Sequence, residues 1–212
     1  MRFIFPGLST LIILTVACAP VANPIPEPQI INIYATSATQ PWLTDAYPCA
    51  PAGTVISVAS DPIFANISLR LGEPDNLFTP AYQIDTDEIL VVTNRQSPLQ
   101  NMTLDQVREL FAGQGDPSVQ VWVYASEEDV QRVFEQTVMQ GRSVTSLARL
   151  ATGPQHMSET INNEPNTVGF LPRHWKVGDS RFIFTIPDVP VLAIVTEQPQ
   201  GAIQEIIACL QK

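Results

Sequence analysis

The sequence predicts an α/β fold in which mostly parallel strands are covered by helices. Short segments rich in β-branched residues alternate with segments of helical periodicity along the chain, a pattern typical of strands joined by helical crossovers. The continuous aliphatic run at residues 89–92 indicates a strand buried on both faces. At the other end of the chain, Ile203, Ile206, Ile207 and Leu210 recur at helical spacing and predict a terminal helix over residues 201–210.

The remaining elements follow from the same patterns. Near the amino terminus we predict strands at residues 30–35, 55–58 and 67–71 and a helix at residues 41–47. In the middle of the chain we predict a strand at 88–94, a helix at 104–111, a strand at 119–124, a helix beginning after Ser126, a helix at 144–150 and a strand at 168–171. A last strand at residues 191–195 precedes the terminal helix.

The helix at residues 104–111 has the clearest local signals. Thr103 is placed to accept a hydrogen bond from the first turn, Gln106 to complete a capping box, and Met102 to contact Val107 as a hydrophobic staple. Gly113 follows the last helical residues and predicts where this helix ends.

The charge balance excludes some function classes. The chain has 21 acidic residues against 11 lysines and arginines, and the basic residues are scattered along it. A protein of this kind is a poor candidate for binding nucleic acid or an anionic membrane surface. Anion binding stays open, because a cleft can use backbone amides instead of net charge.

The amino-terminal residues have the pattern of a bacterial lipoprotein signal. Arg2 precedes an apolar segment at residues 3–16, which is too short to span a bilayer comfortably. Ala17 directly before Cys18 resembles a lipobox, so we expect a signal peptide at residues 1–17 and lipid (diacylglycerol, palmitate) on Cys18, with ordinary secretion or an uncleaved anchor as the alternatives. Residues 18–29 are rich in proline and predict an extended tether, with a merely disordered end as the alternative.

Three segments, in this order, resemble phosphate-type solute-binding proteins of the type 2 periplasmic binding fold. They are the strand and polar turn at residues 30–37, DEILVVTN followed by LQNMTLDQVRELFAG at residues 87–113, and NTVGFLP at residues 166–172. The resemblance implies two lobes, lobe 1 at residues 30–87 and 188–212 and lobe 2 at residues 88–187, with a ligand cleft between them. It implies a monomer that delivers a small-molecule or oxyanion ligand to an ABC permease.

The resemblance also bears on the cysteines. If Cys18 is acylated, Cys49 and Cys209 remain, in a compartment where thiols are oxidised. Because the fold returns its carboxyl-terminal segment to lobe 1, one disulfide between them is expected. Two free buried cysteines are the alternative.

Candidate ligand contacts lie where the first strand ends. Thr36, Ser37 and Thr39 offer hydroxyls and free backbone amides that can hold an oxyanion, and the matching turn in the family contacts the ligand. The alternative is that Ser37 or Thr39 caps the helix before Pro41.

Two more candidates are Arg70 and Ser126. The guanidinium of Arg70 can grip a carboxylate, phosphate or sulfate, or it can form a surface salt bridge. Ser126 stands where phosphate-binding relatives have Ser-Gly-Thr, but Glu127, Glu128 and Asp129 follow it. Ser126 and Asp129 then predict a capping box, and the acidic first turn argues against phosphate as the ligand.

An enzyme is the weakest hypothesis. His156 and His174 are the only histidines, and no nucleophile motif or phosphate loop accompanies them. Asp85, Asp87 and Glu88 suggest a carboxylate pair or a calcium loop, but a charged turn before a buried strand explains them. We therefore expect no catalytic residue, no metal and no cofactor. The sequence favours a membrane-anchored, extracytoplasmic solute-binding lipoprotein, with a lipid-anchored interaction or sensor protein of the same fold as the alternative.

Overall fold

The computed structural model describes residues 27–212. The predicted signal peptide, Cys18 and most of the tether therefore lie outside the described residues. Eight strands and five α-helices are present in this part of the chain. The strands are β1 (Gln29–Ala35), β2 (Thr54–Val58), β3 (Ile67–Leu71), β4 (Ala81–Thr93), β5 (Gln120–Val123), β6 (Arg149–Leu150), β7 (Thr167–Pro172) and β8 (Arg181–Ile194). The helices are α1 (Gln40–Ala46), α2 (Leu104–Glu109), α3 (Asp129–Phe134), α4 (Pro154–Asn163) and α5 (Ala202–Leu210).

The strands form one sheet in the order β2-β1-β3-β8-β4-β7-β5-β6. The pairings β1–β2, β1–β3, β5–β6 and β5–β7 are parallel. Those of β3–β8, β4–β7 and β4–β8 are antiparallel. The predicted α/β fold class is confirmed, with a mixed sheet flanked by helices.

The two longest strands, β4 and β8, run side by side through the whole sheet. Their register shifts between Gln83 and Asp85, between Asp87 and Ile89, and between Val91 and Val92. At the middle shift, which we call the break, Asp87 lies opposite Val189 but Ile89 lies opposite Ile186. Here one residue of β4 faces two residues of β8, one of which is Asp188 with a φ of 54°. We call the side of this break that contains β1, β2 and β3 lobe 1, and the side that contains β5, β6 and β7 lobe 2. The break coincides with the predicted boundaries at 87/88 and 187/188, which stay a prediction.

Each lobe has its own part of the apolar core. In lobe 1, Trp42 and Leu43 of α1 and Ile206 and Ile207 of α5 are buried together with Ile33 of β1. In lobe 2, the Phe134 and Phe170 rings stack with centroids 3.9 Å apart, and Phe111 lies 4.7 Å from Phe134. The carboxyl-terminal helix is tied to the turn Tyr47–Cys49 after α1 by the predicted disulfide between Cys49 and Cys209, with the Cα atoms 5.7 Å apart.

The predicted capping box of α2 is confirmed. The Thr103 hydroxyl accepts from the Gln106 backbone N–H, and the Gln106 side chain accepts from the Thr103 backbone N–H. Gly113, at a φ of 80°, lies in the wide turn Leu110–Gln114 that ends this helical segment.

One prediction in lobe 2 is wrong. The segment 144–150 is not a helix, since Leu147 and Leu150 are exposed and residues 149–150 pair with β5 as β6. Spacing suggested a helix, but no core face is available here for these side chains. The helix that does follow, α4, begins at Pro154 and buries Met157 and Ile161.

The acidic residues at positions 85, 87 and 88 lie inside β4, so the predicted turn before that strand is also wrong. The alternation of exposed and buried residues in this part of β4 marks it as a strand with one covered face. In the described chain, none of the helices has the length and apolar character needed to cross a membrane.

Candidate functional site

The candidate site is the cleft where the carboxyl ends of β1 and β3 in lobe 1 face the start of α3 in lobe 2. We call it the interlobe cleft and define it by residues 36–39, 70–71 and 128–132. Parallel neighbours β1 and β3 end at the same edge of the sheet, which brings the turn after β1 beside Arg70. Ligands of open α/β sheets bind at such strand ends.

The three hydroxyl groups of the turn after β1 have different surroundings. Thr36 and Thr39 are buried, and the Thr39 hydroxyl donates to the Leu69 carbonyl at 3.0 Å, so these two side chains hold the turn against β3. The Ser37 hydroxyl instead donates to Glu128 Oε2 at 2.6 Å. No side chain caps α1 or the turn before it, so the alternative that Ser37 or Thr39 is a helix cap is wrong. Of the three predicted residues, Ser37 reaches across the cleft.

Arg70 also reaches across the cleft, to the carboxylate of Asp129, which the sequence had assigned to a capping box. Its Nη1 lies 3.1 Å from Asp129 Oδ1, and Arg132 Nη2 lies 2.8 Å from the same oxygen. The other oxygen, Asp129 Oδ2, accepts from the Leu71 backbone N–H at 3.1 Å. The Asp129 side chain is 0% exposed and that of Arg70 is 23% exposed. The pair is therefore mostly enclosed, unlike an ordinary surface salt bridge.

The cluster of Arg70, Asp129 and Arg132 has two positive groups around one negative group. Breaking a buried ion pair by removing one partner leaves an uncompensated charge and is strongly destabilising. Arg132 Nε is also buried, and no group in the described part of the chain hydrogen-bonds to it. The cleft therefore holds more donors than the Asp129 carboxylate uses.

Ser126 does not join this cluster. It is exposed, and its hydroxyl lies 3.3 Å from Glu127 Oε2. The helix begins later than expected, with Glu128 at the N-cap and no side-chain cap, so the predicted capping box of Ser126 and Asp129 is wrong. The physical reason is that the Asp129 carboxylate accepts hydrogen bonds from Arg70, Arg132 and the Leu71 backbone N–H. A capping position at the start of α3 would offer it fewer donors.

A second set of contacts joins the lobes near the break in β4 and β8. Trp175 Nε1 donates to the Ala38 carbonyl at 3.0 Å, and the ring centroids of Trp42 and His174 lie 4.6 Å apart. His174 Nδ1 lies 3.2 Å from Asp87 Oδ2, and Asp87 is buried. These contacts hold the turn that follows β7 against α1. Within residues 27–212 no group of three or more histidine, cysteine or acidic residues is arranged to hold a metal ion.

Behind the start of α3, the Tyr124 hydroxyl donates to the Phe170 carbonyl at 2.8 Å. Burial, and after it the negative charge of Glu128, raise the pKa of this phenol well above its ordinary value. The phenol therefore stays a neutral hydrogen-bond donor, which fixes β5 to β7 beneath the cleft.

Sequence reasoning missed Asp129 and Arg132 as residues of the cleft. Asp129 was explained as a capping residue, and Arg132 lies three residues further on the same helix, within reach of it. The available sequence signal was the i, i+3 spacing of two opposite charges, Asp129 and Arg132, at the start of a predicted helix.

No protein-family model matches the chain, and none of the curated proteins matches it. Among solved structures, it is similar to a substrate-binding protein assigned to phosphate ABC transport, with bound phosphate, from Clostridium perfringens. The TM-score is 0.75 at 12% identity, over 86% of this chain and 93% of that one.

Two further structures show the breadth of the likeness. An ABC-type phosphate transport receptor from Vibrio cholerae gives a TM-score of 0.65 at 16% identity, over 86% of this chain and 93% of that one. Full-length HypT from Salmonella typhimurium, a hypochlorite-specific LysR-type transcriptional regulator, gives 0.59 at 11% identity, over 86% of this chain and 68% of that one. At these identities the likeness concerns the fold. The chain has the type 2 periplasmic binding fold, which is shared by substrate-binding proteins of phosphate transporters and by LysR-type regulatory domains.

Proposed function

We propose that the chain is an extracytoplasmic solute-binding protein that captures a small solute between its lobes for an ABC importer. The observation that carries the proposal is the interlobe cleft, where polar groups of both lobes meet at the carboxyl ends of β1 and β3. This is the place where ligands bind in open α/β sheets. The substrate-binding proteins of similar structure support the same role at the level of the fold.

The chemistry of the cleft argues against phosphate as its solute. A phosphate near Ser37 would meet the Glu128 carboxylate, which already accepts the Ser37 hydroxyl hydrogen. Arg70 is already paired with Asp129. A neutral or cationic solute that donates hydrogen bonds to Glu128 fits this surface better. An anionic solute would first have to displace Asp129.

The test is thermal unfolding of the full chain with a panel of phosphate, sulfate, molybdate, carboxylates, amino acids and sugars. A solute that binds only the folded state at 100 times its dissociation constant stabilises by about 2.7 kcal/mol, which raises the midpoint by roughly 5–11 °C for a chain of this size. The matched control is Ser37→Ala with Glu128→Gln, which should keep the fold and lose the shift. Folded protein that responds to none of the compounds would contradict solute capture.

The location is part of the proposal and rests on the sequence at Cys18. Replacing Cys18 with serine should abolish incorporation of labelled palmitate and release the protein from membranes. The control is the double replacement of Cys49 and Cys209 by serine, which keeps Cys18 and should stay attached. Unchanged membrane attachment of the Cys18→Ser protein would rule out the lipid anchor.

A lipid-anchored interaction or sensor protein is the second candidate function. It is favoured by one observation, the occupation of the cleft by the protein's own Glu128 and Asp129 side chains. The regulatory domains of similar structure show that proteins without a transport role use this fold. This candidate predicts no stabilisation by any solute of the panel and no permease or ATPase genes beside the gene of this protein.

A further inference from the structure

We propose that Arg70, Arg132 and the Leu71 amide form a carboxylate-binding site that the chain fills with its own Asp129. The side chain acts as an internal ligand that holds the two lobes together when no solute is present. Asp129 fills this site in the same way whether or not the protein transports a solute.

The donor set matches a carboxylate. One oxygen of Asp129 receives the Arg70 and Arg132 guanidinium groups at 3.1 and 2.8 Å, and the other receives the Leu71 N–H at 3.1 Å. Both oxygens of the planar carboxylate therefore accept hydrogen bonds, and the planar guanidinium group is well shaped to donate to a carboxylate. The donors come from both lobes, since Arg70 and Leu71 lie in β3 and Arg132 lies in α3. A carboxylate in this position bridges the lobes as a bound solute would.

The charges and burial show that the site is built for an anion. Two guanidinium groups surround one carboxylate, and the Asp129 side chain is entirely buried. Within residues 27–212 the buried Arg132 Nε has no hydrogen-bond partner, so the site offers a donor that Asp129 does not use. Removing the Asp129 carboxylate would leave two cations facing a void the size of a formate ion. Formate is therefore the smallest probe that can restore the lost contacts.

The experiment compares thermal unfolding midpoints of the full chain as wild type, Asp129→Ala, and Asp129→Ala with Arg70→Gln. We expect Asp129→Ala to lower the midpoint by on the order of 10 °C, since it breaks a buried ion pair. Sodium formate should then raise the midpoint saturably, by roughly 3–6 °C at ten times its dissociation constant. Equal sodium chloride should not. The wild type and the double variant should respond to formate no more than to chloride.

The matched control is Glu128→Gln, one residue earlier on the same chain. Glu128 also crosses the cleft, but among the residues that the structure describes its side chain hydrogen-bonds only to the Ser37 hydroxyl. This variant should lose little stability and gain no formate response. A formate response equal to that of Asp129→Ala would overturn the assignment of the site to Asp129.

Other outcomes also decide the matter. Folded Asp129→Ala that responds equally to formate and chloride would overturn the proposal, and so would a full formate response in the double variant. If Asp129→Ala does not fold, Asp129→Asn supplies the decision, because it keeps the shape and removes the charge. The proposal predicts a lower midpoint and a larger radius of gyration in solution scattering for Asp129→Asn, and values equal to the wild type would refute it. Failure of every solute to stabilise the wild type would count against solute capture but not against this site.

Discussion

The disulfide between Cys49 and Cys209 should be the largest single covalent contribution to stability. The two residues are 160 positions apart in the sequence, so the bridge closes most of the described chain into one loop. For a loop of that length, the chain-entropy model gives about 5 kcal/mol at 25 °C. This is an upper figure, because residual structure in the unfolded state lowers it. The corresponding loss in the unfolding midpoint is roughly 10–20 °C.

The perturbation is replacement of both cysteines by serine, and the assay is urea unfolding followed by tryptophan fluorescence. The free energy of unfolding and its dependence on urea are compared for wild type and variant, each with and without reductant. The variant should unfold at lower urea and with a steeper dependence, because an unfolded chain without the cross-link exposes more surface. Reductant should bring the wild type to the level of the variant and leave the variant unchanged. A variant within about 1 kcal/mol of the oxidised wild type would refute the entropic reasoning.

Two further replacements test packing around the cleft. Gly72 has a φ of 73°, and a Cβ there would overlap the Val133 Cγ2 methyl, so Gly72→Ala should lower the free energy of unfolding by about 2–5 kcal/mol. Adding Val133→Ala should recover the part due to overlap, and no recovery in urea unfolding would mean that the overlap is not the cause. Tyr124→Phe tests the raised pKa of the phenol. Since folding disfavours the phenolate, wild-type stability is present below pH about 10 and falls as the pH rises above it. The phenylalanine variant should show a shallower fall in unfolding free energy between pH 8 and 11, and equal slopes would contradict a buried neutral phenol.

Local patterns predicted much of the fold. Residues close together in the sequence determine three of its elements, which are the strand β1, the capping box at Thr103 and the terminal helix α5. The disulfide between Cys49 and Cys209 was predicted from the resemblance, which brings the two chain ends to one lobe. The helix expected at residues 144–150 failed because helical spacing does not say whether a core face is available. A Gly-Pro start and the i, i+4 pair of Met157 and Ile161 would have indicated α4.

The candidate site was predicted only in part. The polar turn at residues 36–39 and Arg70 lie at strand ends, which sequence patterns locate well. Asp129 was assigned to a helix cap because an acidic residue in a first helical turn is stabilised there in any helix. Its contact with Arg70 joins residues far apart in the chain, and only the packing of α3 against β3 brings them together.

The passage of the chain between the lobes through β4 and β8 has a consequence for the order in which the molecule folds. The chain leaves lobe 1 through β4, builds all of lobe 2 from contiguous residues, and returns through β8. During synthesis lobe 2 can complete its own contacts before β8 has fully emerged, whereas the strand β3, made much earlier, must wait for β8 to pair with it. The disulfide forms later still, because Cys49 must remain unpaired until Cys209, in the last helix, has been synthesised. We therefore expect lobe 1, whose strand β1 is synthesised first, to complete its folding after lobe 2.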